Sequence, residues 1–371
     1  MTDLFEHIEN NELKLIAGKI MDDVRLSPAE GLSLFTKAEL PLLGVLSSIV
    51  RRRRNGNQAY FNRNFHIEPT NKCVYNCRFC SYHKSAGDPE SWEYSLDQML
   101  DIVKQFDDKE VTEVHIVGGV HPDYDIHYYG ALVQKIKLHR PALHVKAFSA
   151  IELDYMFRKS GMTIEDGLSL LKESGLGSIP GGGAEIFDEE LRKKICHEKT
   201  SSEMWLLIHE TAHKLGLPSN ATMLYGHIET YAHRIDHLER LRQLQDRTSG
   251  FNAFIPLKYK KANNSISYLG EVSTIEDLRN YAVSRIYLDN FPHIKAYWPM
   301  IGKEISQVSL SFGTDDLDGT IDDTTRIYSM AGAEDQNPAM PTDEICRIIR
   351  SAGFEPVERD SLYNFINTFA L

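Results

Sequence analysis

No apolar run in this sequence approaches the roughly 18 to 20 residues that a membrane span requires, so a helical membrane protein is not expected. The opening stretch "MTDLFEHIENNELKL" is acidic and has neither the basic start nor the apolar centre of a signal peptide. A cytoplasmic location is the expectation. Cysteine is scarce, five in 371 residues. An odd count with three crowded together makes a poor disulfide framework and suits a reducing compartment. Positive charge is in deficit, 41 basic against 53 acidic residues for a formal charge of −12, which argues against a sequence-independent grip on nucleic acid or an anionic membrane. A small molecule is the expected partner. One basic run, Arg51 to Arg54, follows "LPLLGVLSSIV" and reads as a helix end, where cations meet the negative end of the dipole. No low-complexity tract or fixed-period repeat occurs, and 42% hydrophobic residues are ample for a core.

What is present divides into three parts. Residues 1–55 carry apolar positions at three- and four-residue steps and read as an N-terminal helical cap. From there to residue 315, short β-rich runs alternate with charged segments of helical length, the pattern of a parallel sheet with crossover helices. Eight strand-like runs, from "YFNRNFHIE" to "HIKAYWPM" and "QVSLSFG", predict an α/β fold, a (β/α)8 barrel of the TIM type, complete or nearly so. The last two strands are the weakest because the helix between them would be very short. Residues 316–371 read as an acidic loop followed by a C-terminal helical extension. Several strands end in polar or glycine-rich residues: Glu68 to Cys80, Gly118 to His121, Gly181 to Glu185 and Gly226 to Glu229. In a parallel barrel these ends share the rim where active sites sit.

The stretch "NKCVYNCRFCSYH" sets Cys73, Cys77 and Cys80 in a C-x3-C-x2-C run directly after the first strand. Three soft ligands on one short loop suit three irons of a cubane. They would also suit zinc, with His83 as a fourth ligand. A second metal pattern, "HETAH" with His209 and His213, fits H-E-x-x-H but falls on a crossover helix without an evident third ligand. Cys196 and Cys346 are isolated and read as ordinary buried thiols.

The thiol spacing, with Phe79 before its third cysteine and "IVGG" closing the next strand, resembles the radical S-adenosylmethionine (SAM) superfamily. That resemblance implies a [4Fe-4S] cluster on Cys73, Cys77 and Cys80, whose fourth iron is chelated by the amino and carboxylate groups of SAM. It implies further that Gly118 and Gly119 receive the methionine amino group, although the usual acidic third residue is here Val120. Glu185 would bond the SAM ribose, Gly226 and Glu229 match the family's G-x-x-E pattern, Leu224 would meet adenine by its backbone, and Tyr82 is an adenine neighbour.

The segments "GGGAEIFDEELRKKICHEKT" and "HRIDHLERLRQLQDRTSGFNAFIPL" resemble the aminofutalosine synthase family of menaquinone biosynthesis, with dehypoxanthine futalosine cyclases and FO synthase subunits as relatives. The implied substrate is 3-[(1-carboxyvinyl)oxy]benzoate, and the implied electron donor is a carrier such as flavodoxin or ferredoxin. A dicarboxylate with an aromatic ring calls for polar groups plus an apolar wall. Candidates are His66, His227 and Arg285 for catalysis, with Asn220, Thr222, Tyr297 and Trp298 for substrate.

Overall fold

The computed structural model describes residues 8–321, 325–333, 335 and 338–369. The first residues of the expected cap, Asp322 to Thr324 of the expected acidic loop and the last two residues of the extension lie outside the described residues.

Three helices open the chain, α1 (Asn11–Met21), α2 (Pro28–Lys37) and α3 (Leu40–Asn55). Asn10 and Ser27 start the first two by accepting backbone N–H bonds, Ser27 within a reciprocal capping box with Glu30. The basic run occupies the last turn of α3. Its first member, Arg51, turns inward, is fully buried, and donates to the carbonyls of Thr314 and Gly56 at 3.0 Å each.

The strands are β1 (Gln58–Asn62), β2 (Asn64–Ile67), β3 (Glu113–Ile116), β4 (His144–Ala147), β5 (Leu176–Ser178), β6 (Ser219–Tyr225), β7 (Phe251–Lys258), β8 (His293–Ile294), β9 (Asp316–Gly319), β10 (Glu355–Arg359) and β11 (Phe365–Thr368). β1 runs through Arg63 into β2, and the two act as one bent first strand. Parallel pairing proceeds in chain order from β2 to β5 and from β6 to β8. Parallel bridges Ile179↔Ser219 and Lys295↔Asp316 join the segments, and β9 pairs with β1 to complete the ring. The result is an eight-stranded parallel barrel with its helices outside.

Two sequence expectations are corrected. "QVSLSFG" is not a strand: residues Lys303–Ser309 are helical and Leu310–Phe312 form a 3-10 turn. The eighth strand is instead cut from the acidic stretch "TDDLDGT", because Asp316 and Asp318 find buried cationic partners in Arg359 (2.6 Å) and Lys295 (2.7 Å). That stretch is therefore barrel wall and not a cover over the pocket. Nor is the C-terminal extension wholly helical: after the helix Thr342–Ser351, β10 pairs in parallel with β1, and β11 pairs antiparallel on its outer edge.

Candidate active site

The C-terminal ends of the barrel strands enclose a cavity of about 310 Å3. Cys73, Cys77 and Cys80 all line it, as do Phe79, Tyr82 and His83 from the same loop. The loop is fastened at its base: Cys73 N–H donates to the Lys84 carbonyl (3.1 Å), Val74 N–H to the Val120 carbonyl (2.9 Å), and Arg78 N–H to the Ile195 carbonyl (2.8 Å). Burial pushes the Cys73 and Cys77 thiols up from their ordinary range, so thiolates here need cationic compensation, which a metal centre provides. Among the described residues, no three His, Cys, Asp or Glu side chains converge as ligands of one ion. Three cavity-facing thiols without a fourth protein ligand fit a cluster that takes its remaining ligand from a small molecule.

Next to the thiols lies the end of β3. Gly119 donates to the Thr70 carbonyl at 2.7 Å, and a Cβ there would stand 2.3 Å from the Lys72 carbonyl oxygen, so only glycine lets the two loops meet. Gly118 donates to Glu152 Oε1 (3.2 Å), while Ser149 N–H and Oγ–H hold Oε2 (2.7 and 2.6 Å). Burial raises Glu152 to about 7 against these bonds. Glu185 sits at the cavity with φ +50° and pairs with Lys199 Nζ at 2.7 Å; its carbonyl accepts the Leu224 N–H at 2.7 Å. Burial opposes the charge on Lys199, but the Cys77 and Glu185 charges hold its ammonium well above the ordinary lysine range. Lys199 Nζ also lies 5.3 Å from the centre of the Phe79 ring.

Of the residues named from sequence, the three cysteines, Phe79, Tyr82, Gly118, Gly119, Glu185, Thr222, Leu224 and Tyr297 line the cavity. Others do not. Glu229 is spent on the turn after β6, accepting from Gly226 N–H (2.7 Å), His227 N–H (2.9 Å) and Arg234 (2.7 Å). Gly226 and Glu229 therefore shape the loop behind Leu224 and do not line the cavity. His227 is buried with them, its Nε2 bonded to the Leu224 carbonyl at 3.1 Å. Arg285 is the clearest correction: it is fully buried, bonded to the Gly313 carbonyl (2.8 Å) and ion-paired with Asp315 just before β9, at the opposite barrel end from the cavity. Trp298 donates to the Gly319 carbonyl at 2.9 Å and is packed in the wall. His66 and Asn220 are buried in their strands below the cavity surface. His209 and His213 share the Ser219 hydroxyl at 2.7 and 2.8 Å, a buried structural relay and not a zinc site.

Sequence reasoning missed Lys199, Glu152, His115 and Tyr328. Glu113 and His115 alternate with apolar neighbours in "EVHIV", a period-two signal of an inward polar face. Lys199 and Tyr328 carry no comparable signal, since each reaches the site by folding of a loop or a short helix.

The barrel, the thiol loop and the glycine pair define the class of protein. The chain belongs to the radical SAM superfamily: the model for that superfamily matches residues 67–241, and the model for the CofH/MqnC C-terminal region matches residues 248–370. Within it, the chain is 43% identical over 366 residues to an aminodeoxyfutalosine synthase of Thermus thermophilus, covering 98% of each chain. It is 37% identical to a cyclic dehypoxanthine futalosine synthase of Streptomyces coelicolor, covering 96% of this chain and 90% of that one. In fold it matches the crystal structure of methylornithine synthase with a TM-score of 0.73 at 16% identity, covering 92% of this chain and 97% of that one. The cofactors are those of the superfamily, a 4Fe–4S cluster and SAM.

Proposed function

We propose that this enzyme is an aminofutalosine synthase. The observation that carries the reading is the near full-length similarity to aminodeoxyfutalosine synthase, joined to a cavity that has a thiol wall and a separate aromatic wall. A cluster held by Cys73, Cys77 and Cys80 would supply the one-electron reduction that cleaves the C5′–S bond of SAM into methionine and the 5′-deoxyadenosyl radical. In the proposed reaction this radical adds to the vinyl carbon of 3-[(1-carboxyvinyl)oxy]benzoate. Attack on the ring and rearrangement, with loss of the enolpyruvyl carboxylate as CO2 and return of the one unpaired electron to the electron-transfer chain that supplied it, would then give 6-amino-6-deoxyfutalosine.

The chain's own residues bind, orient and exclude water. Cys73, Cys77 and Cys80 would hold three irons, Gly118 and Gly119 allow close approach of SAM's methionine end, and the Leu224 backbone and Tyr82 would border adenine. Lys199, paired with Glu185, supplies a positive charge for a carboxylate beside the cluster loop. Ile255, Leu257 and Met300 keep the remaining wall apolar, which protects a reactive alkyl radical from side reactions. The electron is proposed to come from a small carrier such as flavodoxin or ferredoxin, in the cytoplasm.

The test is anaerobic incubation of the cluster-loaded enzyme with SAM labelled in its adenosyl carbons, a reductant and the benzoate, followed by mass spectrometry. Label in an adduct of the mass of aminofutalosine supports the reading. Label in 5′-deoxyadenosine alone overturns it and favours hydrogen abstraction, the chemistry of a cyclase acting on dehypoxanthine futalosine, to which the similarity with the cyclic dehypoxanthine futalosine synthase also points.

A further inference from the structure

Away from the thiols, the cavity ends on a floor of rings. His66 and His115 tilt against each other with centroids 4.9 Å apart, Tyr328 stands edge-on to His66 at 6.4 Å, and Tyr297 edge-on to Tyr328 at 5.3 Å. His115, Tyr297 and Tyr328 face the cavity. Two polar atoms of this floor, His115 Nε2 and Tyr297 Oη, are shielded from solvent and have no hydrogen-bond partner. Leaving a buried polar group unpaired forfeits its hydrogen bond to water without replacement, and a partner is the rule in native interiors. Of the side chains with such an atom among the described residues, these two line the cavity, where a ligand can supply the partner.

The surroundings define the ligand's chemistry. Beneath the floor, two buried ion pairs, Lys146–Glu113 (2.5 Å) and Lys295–Asp318 (2.7 Å), cross the barrel interior. Burial, and then the charges of Lys146, His66 and Lys295, hold His115 well below the ordinary histidine range. His115 is thus a neutral imidazole beside two lysines whose charges are compensated by Glu113 and Asp318. An imidazole and a phenol hydroxyl with free hydrogen-bonding capacity, framed by ring edges, suit the polar end of an aromatic ligand, a carboxylate included.

Resting on the reading above, we propose that the floor at His115 and Tyr297 is the subsite for the benzoate end of the substrate, its carboxylate accepting from these two side chains. The orientation follows from the chemistry: the vinyl carbon must lie beside the SAM adenosyl carbon at the thiol wall, so the aryl carboxylate is the end that reaches the far floor.

The experiment is calorimetric titration of the cluster-loaded, SAM-bound enzyme with 3-hydroxybenzoate and, separately, with phenol, which lacks the carboxylate. The wild type is expected to bind 3-hydroxybenzoate at least about tenfold more tightly than phenol, and Tyr297→Phe and His115→Phe each to reduce that preference about tenfold while SAM affinity stays unchanged. A selective loss in either variant supports the subsite. No preference in the wild type, full preference in both variants, or a loss that is equal for both ligands overturns it. Tyr297→Phe removes a single oxygen and decides the matter where His115→Phe does not fold. The titration needs no turnover, so failure of the labelled-adduct assay would remove the proposed reaction and leave this subsite to its own result.

Discussion

The two ends of the barrel hold similar inventories of buried polar residues and treat them in opposite ways. At the N-terminal end, Arg285, Asp315 and His293 close on one another, with His293 Nδ1 at 2.5 Å from Asp315, and Arg359 meets Asp316 at 2.6 Å. Arg51 is likewise spent on backbone carbonyls. At the C-terminal end, an imidazole nitrogen and a phenol oxygen of side chains lining the cavity have no hydrogen-bond partner, and three thiols line the same cavity. Saturated buried groups hold a fold together, whereas unsaturated ones await a ligand. Burial alone does not separate the two; what does is whether the unpartnered atom belongs to a side chain that lines a cavity.

The comparison breaks most visibly at the thiols. Cys77→Ala removes a cluster ligand, and turnover should fall to background, with iron content and cluster absorbance falling alongside while the melting temperature of the cluster-free protein hardly moves. Retained activity would remove the cluster assignment.

At the opposite end the expected effect is on stability. Arg285→Ala leaves Asp315 buried with one partner fewer and should cost about 3 to 5 kcal/mol of folding stability, read by denaturant unfolding. Where the variant remains folded, SAM affinity should match the wild type. A selective loss of catalysis at full stability would return Arg285 to the active site.

Gly119→Ala tests the close approach of the β3 end to the thiol loop. With a Cβ only 2.3 Å from the Lys72 carbonyl oxygen, backbone must move, and KM for SAM should rise roughly tenfold to hundredfold. An unchanged KM would mean that the glycine serves only the turn.

Glu152 sits between the two regimes, hydrogen-bonded yet buried. Its folded pKa of about 7 lies above the ordinary 4.5. Between those values the native state binds more proton than the unfolded state, so stability should decline as pH rises through that window, by on the order of 3 kcal/mol. Glu152→Gln should flatten this slope in urea midpoints measured from pH 5 to 8. An unaltered slope would assign it to other groups.

Much of the site was legible because its signals are local. Three cysteines within a few residues, a glycine pair at a strand end and the alternation of strand with helix are set by short-range chemistry and periodicity. Glu229, His227 and Arg285 were misplaced for a common reason: polar residues next to a strand or helix end look alike in sequence whether they turn to a ligand or to each other. The eighth strand was missed because its aspartates resemble a solvated loop until Lys295 and Arg359 are brought beside them.

The sequence by itself determined the class of chemistry, the barrel and the cluster loop, since each follows from residue spacing over a few turns of chain. Only the tertiary structure decided which charges cancel, that Lys199 stands beside Glu185, and that His115 and Tyr297 share a cavity floor. Those contacts join segments far apart in the chain, and hydrogen bonds and Coulomb interactions act over a few ångströms of space with no regard for separation along the sequence.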